Sequence, residues 1–387
     1  MVLLILAGVS INLVVGENGI VTKAGDARDK TEQAKANEEA DLLGLVGEIG
    51  DNLGELPSTT ETKPYLPTGF SKVAGTNLDN GLVIQDSVGN QYVWVEVPMN
   101  ATVYPTAGLG ITTFDDTAYT NIENDLHTYT STYRRNSWTD TYCPDTNNTG
   151  WFESADKYNE AKQKMLKSVY ENGGFYVGRY ETGIAYDDVN GLRSFGSAYS
   201  TLHEAKQTPV IKANAYPYNW VRRTQAKVLA ESMYSGDRTS SLMFGVQWDL
   251  VLAFMHNKGE VADSTLTGDS KTIGNYKDNL WNVTNTSAKY STDSGASWPA
   301  CPKAKGESEA SILLTTGADT SFGVMNIYDI AGNVWEWTLE MTYDTSIPCA
   351  SRGGVCVGSG SSYPASRRID SGTSFSSGVV GFRVSLY

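Results

Sequence analysis

The chain has 387 residues, with 44 Asp and Glu against 30 Lys and Arg, a formal net charge of -14 and only 3 histidines. Neutralising phosphates needs clustered Lys and Arg, so this balance argues against a broad nucleic-acid face, and no nucleic-acid partner is expected. No HExxH or paired His/Cys spacing, no GxxxxGK(S/T) phosphate loop and no GxSxG elbow occurs, so most standard enzyme readings lose their support.

Only 19% of residues are charged, while 11% are aromatic, with 22 Tyr, 9 Trp and 38 Gly. That profile fits a turn-rich, aromatic extracellular module better than a charged helical cytosolic protein. Cys143, Cys301, Cys349 and Cys356 allow three complete pairings or none.

In chain order, Val2 to Val15 reads VLLILAGVSINLVV, an apolar stretch of roughly 21 Å as a helix, too short for a bilayer core of roughly 30 Å. Ten acidic and four basic residues follow as far as Leu56, with Leu42, Leu45, Val46, Ile49 and Leu53 at helical intervals until Pro57. An ordinary amphipathic helix on the main domain is one reading. The stretch also resembles the N-terminal helix of type IV pilin-like (prepilin-type) surface proteins of Gram-positive bacteria. The resemblance implies that residues 1-56 are a truncated anchor or stalk lacking its leader and the first half of the apolar helix. It also implies a cell-surface, membrane-anchored or pilus-associated protein.

From 57 to 387 the pattern becomes that of one irregular α+β domain. Gly81 to Gln85 and Gln91 to Val97 read as a hairpin turning at Gly89-Asn90, and Gly174 to Tyr180 as a further strand. Asn100 to Gly150 shows no sustained period and reads as a long surface excursion. Helices are expected over Ser154 to Asn172, Thr224 to Tyr234 and Val246 to His256, the last too continuously apolar to lie on a surface. Gly259 to Thr320 reads mostly as loop. With so little regular structure, a dense aromatic core must hold the loops, and Trp94, Trp220, Trp248, Trp335 and Trp337 can supply it.

Asn326-Ile-Tyr-Asp-Ile-Ala-Gly-Asn-Val-Trp-Glu-Trp337, then Arg352-Gly-Gly354 and Gly381-Phe-Arg-Val384, resemble the formylglycine-generating enzyme (sulfatase-modifying factor) family. Phe175 to Glu181 and Gly245-Val-Gln-Trp-Asp249 match in order. The resemblance implies a C-type lectin-like fold of the formylglycine-generating enzyme type, with low regular secondary structure, behind the N-terminal helical stalk. From the residues alone, Trp335 and Trp337 are core anchors, and Arg352 and Arg383 are partners for buried carboxylates or carbonyls. Glu336, between two tryptophans, needs a cation or several N-H donors. The family uses the matching glutamate and nearby carbonyls for calcium, which implicates Ala331, Val334 and Glu336; the other reading is a structural Glu with protein partners. No cofactor is otherwise required. The catalytic carry-over fails: the enzymes use two cysteines a few residues apart after the Arg/Lys-Gly-Gly motif to bind copper, whereas Cys356 has no downstream partner and Cys349 precedes the motif. No catalytic residue is expected.

Residues 353 to 382 read GGVCVGSGSSYPASRRIDSGTSFSSGVVGF, without Lys, Glu, Gln, Met or Trp. In this position the segment resembles the variable region of proteins diversified by retroelements, because every residue present is reachable by replacing the adenines of an AAC or AAT codon. It also reads as a plain Ser/Gly-rich loop. Either way, small and Tyr-like side chains suit recognition. The expected function is therefore a non-enzymatic, surface-displayed ligand-binding or adhesion protein. Ligand contacts are expected at Val355, Val357, Ser359, Ser361, Tyr363, Ser371, Thr373, Phe375, Ser377 and Val379, with Gly353, Gly354, Gly381, Phe382 and Arg383 as scaffold. The partner would be an unidentified protein or surface ligand. A structural pilus or pseudopilus subunit is the alternative, and a formylglycine-generating oxidase stands behind both. Ser351 to Tyr387 holds four arginines against Asp370, so this end of an acidic chain is locally basic.

Overall fold

A computed structural model describes residues 63-387 except 136, 147, 185-206, 237, 294, 296, 308 and 310. These residues belong to the unit Ser58–Tyr387. The pilin-like expectation for 1-56 lies outside the described residues. Within them, no helix is long and apolar enough to cross a membrane.

The protein is a mixed α+β structure with modest regular structure. Its central sheet has six strands in the order Phe70–Lys72, Val83–Asp86, Gln91–Glu96, Gly174–Gly178, Val384–Leu386 and Ser240–Leu242, antiparallel throughout. Val/Ile/Tyr/Trp-rich runs form it because branched and aromatic side chains pack well on a pleated surface. Val83, Tyr92, Trp94, Phe175 and Val384 are all buried. A second sheet is built on the long strand Trp335–Thr342. Cys349–Arg352 pairs with it antiparallel and is followed by Arg368–Ser371, while Val380–Phe382 runs parallel to Trp335–Trp337, and Trp138–Thr139 pairs at Met341–Thr342. Val380–Phe382 passes through Arg383 directly into Val384–Leu386, so the C-terminal residues join the two sheets.

Helix Ala155–Asn172 starts where Ser154 Oγ accepts from Lys157 N, and stops at Gly173, whose left-handed φ of 68° an L side chain adopts reluctantly. Helix Arg223–Ser232 follows the expected span closely. Helix Gly245–Asn257 is buried from Gly245 to Met255, as its unbroken apolar run requires. Its first two N-H groups donate to Asp140, Gly245 N to Oδ1 at 2.7 Å and Val246 N to Oδ2 at 2.9 Å. The expected surface excursion is corrected by helix Asp116–Tyr129, which begins where Asp115 accepts from Ala118 N. Its inward stripe rests on Ile122 and Leu126, too narrow to register as a period. The largely irregular 281-322 region closes over a small core of its own, including Trp281, Val283, Ile312, Leu314 and Phe322. The five tryptophans named as core anchors are all buried. All four cysteines are free and buried.

Candidate recognition surface

The strand Trp335–Thr342 organises the candidate site, since alternate residues project from opposite faces of a strand. On one face Glu336 is held by Arg383, Nε to Oε2 at 2.9 Å and Nη2 to Oε1 at 2.6 Å. Farther along, Glu340 and Asp249 of the buried helix share two arginines. Arg352 reaches Asp249 at 2.6 Å and Glu340 at 3.3 Å, and Arg368 reaches them at 2.7 and 2.8 Å. All four side chains are buried, so charge is paired with charge where water cannot help.

The other reading of Glu336, a structural carboxylate with protein partners, describes this geometry; the calcium expectation would add the carbonyls of Ala331 and Val334. Both Glu336 oxygens already accept from Arg383, and the Val334 N-H faces Glu181 at 3.2 Å. Among the described residues, no group of three or more His, Cys, Asp or Glu side chains could hold a metal ion. Glu336 is ion-paired with Arg383, whose charge also acts favourably on the buried carboxyls of Glu181 and Asp329. Burial pushes Glu336 up to about 7 and Asp329 up to about 6, and raises Glu181 well above the carboxylate range.

On the other face, Trp335 and Trp337 carry the two halves of the 353-382 segment. The Tyr363 ring meets Trp335 edge-on at 5.3 Å, and Phe375 meets Trp337 at 6.2 Å. Trp335 and Trp337 sit two residues apart on one strand, roughly 7 Å, so these contacts bring both halves onto a single face.

The segment is held mainly by its backbone. Gly358 O accepts from Lys277 N at 2.9 Å, Gly360 O from Ser270 N at 3.3 Å, and Tyr363 O from the Tyr276 hydroxyl at 2.7 Å. In the other half, Thr373 O accepts from Asn148 Nδ2 at 3.1 Å, Ser377 O from Trp220 N at 2.9 Å, and Gly378 O from Asn219 Nδ2 at 2.8 Å. Gly360 N donates to Asp278 Oδ1 at 3.0 Å. These partners all lie outside the segment and bind atoms that every residue type shares. The Ser359 hydroxyl bonds only within the segment, to Ser361 and Ser362.

Of the ten expected contact residues, Val357 is 46% exposed and Phe375 43%, and Ser361 is exposed. Ser359, Tyr363, Ser371, Thr373, Ser377 and Val379 are half-buried. Val355 is a correction: it is 3% exposed and belongs to the main core. The expectation took alternate residues to face outward, which presumes an extended chain. Here Gly353 and Gly354 adopt φ of 93° and 87°, and Gly358 N closes a turn onto Val355 O at 3.0 Å, folding Val355 inward. The scaffold assignment agrees with the packing: a Cβ on Gly354 would lie 2.3 Å from Tyr363 O. Asn148 borders the segment from elsewhere in the chain, the buried Trp220 and Tyr276 support it from beneath, and a groove of about 420 Å³ is lined by Lys271, Asp278, Leu280, Trp281, Asp319 and Phe322, among others. Nothing local in the sequence marks Asn148 or Trp220 as neighbours of the segment.

Among solved structures, the chain distantly matches a variable protein. Variable protein 1 of Treponema denticola is 12% identical, with a TM-score of 0.23, and the match covers 83% of this chain and 99% of that one. No family model and no curated protein matches the chain.

The thiols offer little chemistry. Burial pushes Cys356 up to about 12 and Cys349 up to about 11, leaving both protonated near neutral pH. Although no Lys stands near Cys356 in sequence, Lys305 is near it in space, where its charge favours the thiolate; burial outweighs it.

Proposed function

We propose that the protein is a non-enzymatic ligand-binding protein that displays the 353-382 surface at the cell exterior, with side chains open to diversification. Supporting this reading above all is the division of labour within the segment. Residues outside it hold its main chain, while Val357 and Ser361 project with little structural duty and Phe375 adds only its edge contact with Trp337. A sequence can vary at such positions without losing the loop geometry, because the donors and acceptors that fix it belong to the backbone. In this reading the partner is a protein or other surface ligand, and residues 1-56 serve as the anchor.

The test is a triple variant, Val357→Ser, Ser361→Tyr and Phe375→Ser, in the full chain. Its melting temperature should stay within a few °C of the parent, because exposed substitutions away from caps and cores usually change stability by about 0.5 kcal/mol or less each. Cooperative unfolding lost, or a shift beyond about 10 °C, would show that these side chains are structural. The neighbouring DNA tests diversification directly: a reverse transcriptase beside a near-copy of the segment's coding sequence, differing at adenines, is the expected finding.

A further inference from the structure

The basic character of the C-terminal segment is almost entirely internal. Arg352, Arg368 and Arg383 are buried against carboxylates, which leaves Arg367 as the segment's remaining arginine. It is half-buried, its Nε is shut away from water with no hydrogen-bond partner, and its guanidinium lies 6.0 Å from the centre of the Tyr363 ring. A second arginine approaches from a distant part of the chain. Arg368 Nη1 donates to Tyr133 O at 2.7 Å, and this bond draws the 133-135 backbone against the 366-368 stretch. Arg135 is exposed there. Desolvation and then the charges of Arg367 and Arg368 make its protonated form less favourable. Arg368 is already neutralised by Asp249 and Glu340, whereas no described residue makes an ion pair with Arg135 or Arg367. Two like charges are thus placed near each other, without a counter-charge, one of them within the proposed binding segment itself.

We propose that Arg135 and Arg367, with the Tyr363 ring beside Arg367, form an oxyanion subsite that takes the side-chain carboxylates of an acidic polypeptide partner. A guanidinium offers a planar fork of donors that matches a carboxylate, and an aromatic ring beside it restricts its orientation. A polypeptide suits the surroundings better than a dense polyanion. Val357 and Phe375, exposed in the same segment, offer apolar contact that the mixed side chains of a polypeptide can use and a phosphate polymer cannot. This inference rests on reading 353-382 as a binding face.

The experiment measures fluorescence anisotropy of a labelled, acetylated hexaglutamate peptide against its hexaglutamine counterpart, with the full chain at about 50 mM salt, where exposed charges remain weakly screened. Hexaglutamate should bind and hexaglutamine should not. Arg135→Gln and Arg367→Gln should each weaken binding by about fivefold, and the double variant should abolish it, as removal of charge-assisted hydrogen bonds at a half-exposed site implies. All three variants should melt at or above the parent temperature, because each relieves a like-charge contact. Equal binding of the two peptides, parent-like binding by the double variant, or a lowered melting temperature in both single variants would overturn the subsite. Displacement by millimolar inorganic phosphate as complete as that by unlabelled peptide would overturn the polypeptide assignment. If hexaglutamate fails to bind while the adenine-differing repeat stands beside the gene, the subsite falls and the binding-face reading survives.

Discussion

Arg367 and Arg368 are chain neighbours in opposite circumstances. Arg368 is buried, shares Asp249 and Glu340 with Arg352, and ties a strand to the buried helix. Arg367 has no carboxylate partner, shields its Nε from water, and adds an unfavourable charge to the surroundings of Arg135. The same contrast runs through the strand Trp335–Thr342, whose Glu336 face is locked by ion pairs and whose Trp335 and Trp337 face carries loops held by their backbones. A segment's formal charge therefore says little about the charge it presents. In a domain with modest regular structure, arginines that bridge distant elements brace the core, and the face built on that core is left free to differ.

The strongest way to break this contrast is to remove a brace. Arg352→Met leaves Asp249 and Glu340 to share Arg368 alone. Taking one partner from a buried ion network costs on the order of 3–5 kcal/mol. Urea unfolding monitored by tryptophan fluorescence should show that loss, and a change below about 1 kcal/mol would show that Arg352 is no brace.

The locked face should also respond to pH. Burial raises Asp140 to about 7, with the Glu340 charge adding to the effect, and raises Glu336, Asp329 and Glu181 as described. A carboxyl whose pKa is higher folded than unfolded contributes most when protonated in both states, and that contribution is lost as pH rises through the folded value. These groups therefore make the protein more stable near pH 5 than near pH 8. His127 opposes them: burial first, then Arg134 and Lys162, lower it to about 3, so its contribution is present above its ordinary value of 6.5 and lost as pH falls below that. Four carboxyls against one imidazole leave the carboxyls in control, and the melting temperature should rise by several °C from pH 8 to pH 5. A fall over that interval would contradict the assignment, and Asp140→Asn should flatten the rise.

How much of this was legible depends on how local the signal is. The buried helix Gly245–Asn257 shows in an unbroken apolar run, and the need of Glu336 for a cation or several N-H donors follows from its place between two tryptophans; that Arg383 supplies them, and that Arg352 pairs with carboxylates and not carbonyls, is seen only in the fold. Helix Asp116–Tyr129 was hidden because its core-facing stripe is so narrow. Val355 was misplaced because alternation holds only while a chain stays extended, and the Gly353-Gly354 turn ends that condition. Arg135 could not be read at all as part of the surface: it reaches Arg367 through a hydrogen bond from Arg368 to Tyr133, a contact that no spacing in the sequence encodes.

The finest test of the contrast uses one substitution at two nearby positions. Val355→Ser places a hydroxyl in the main core and removes buried methyl groups, which should cost about 2 kcal/mol from lost packing and an unsatisfied polar group. Val357→Ser, two residues on and 46% exposed, should shift stability by about 0.5 kcal/mol or less. Both are read by urea unfolding of the full chain. If the two variants lose equal stability, the turn does not separate core from surface, and Val357 leaves the set of binding residues. If only Val355→Ser is destabilised, the boundary between brace and display falls inside a stretch of three residues, set by two glycines at positive φ.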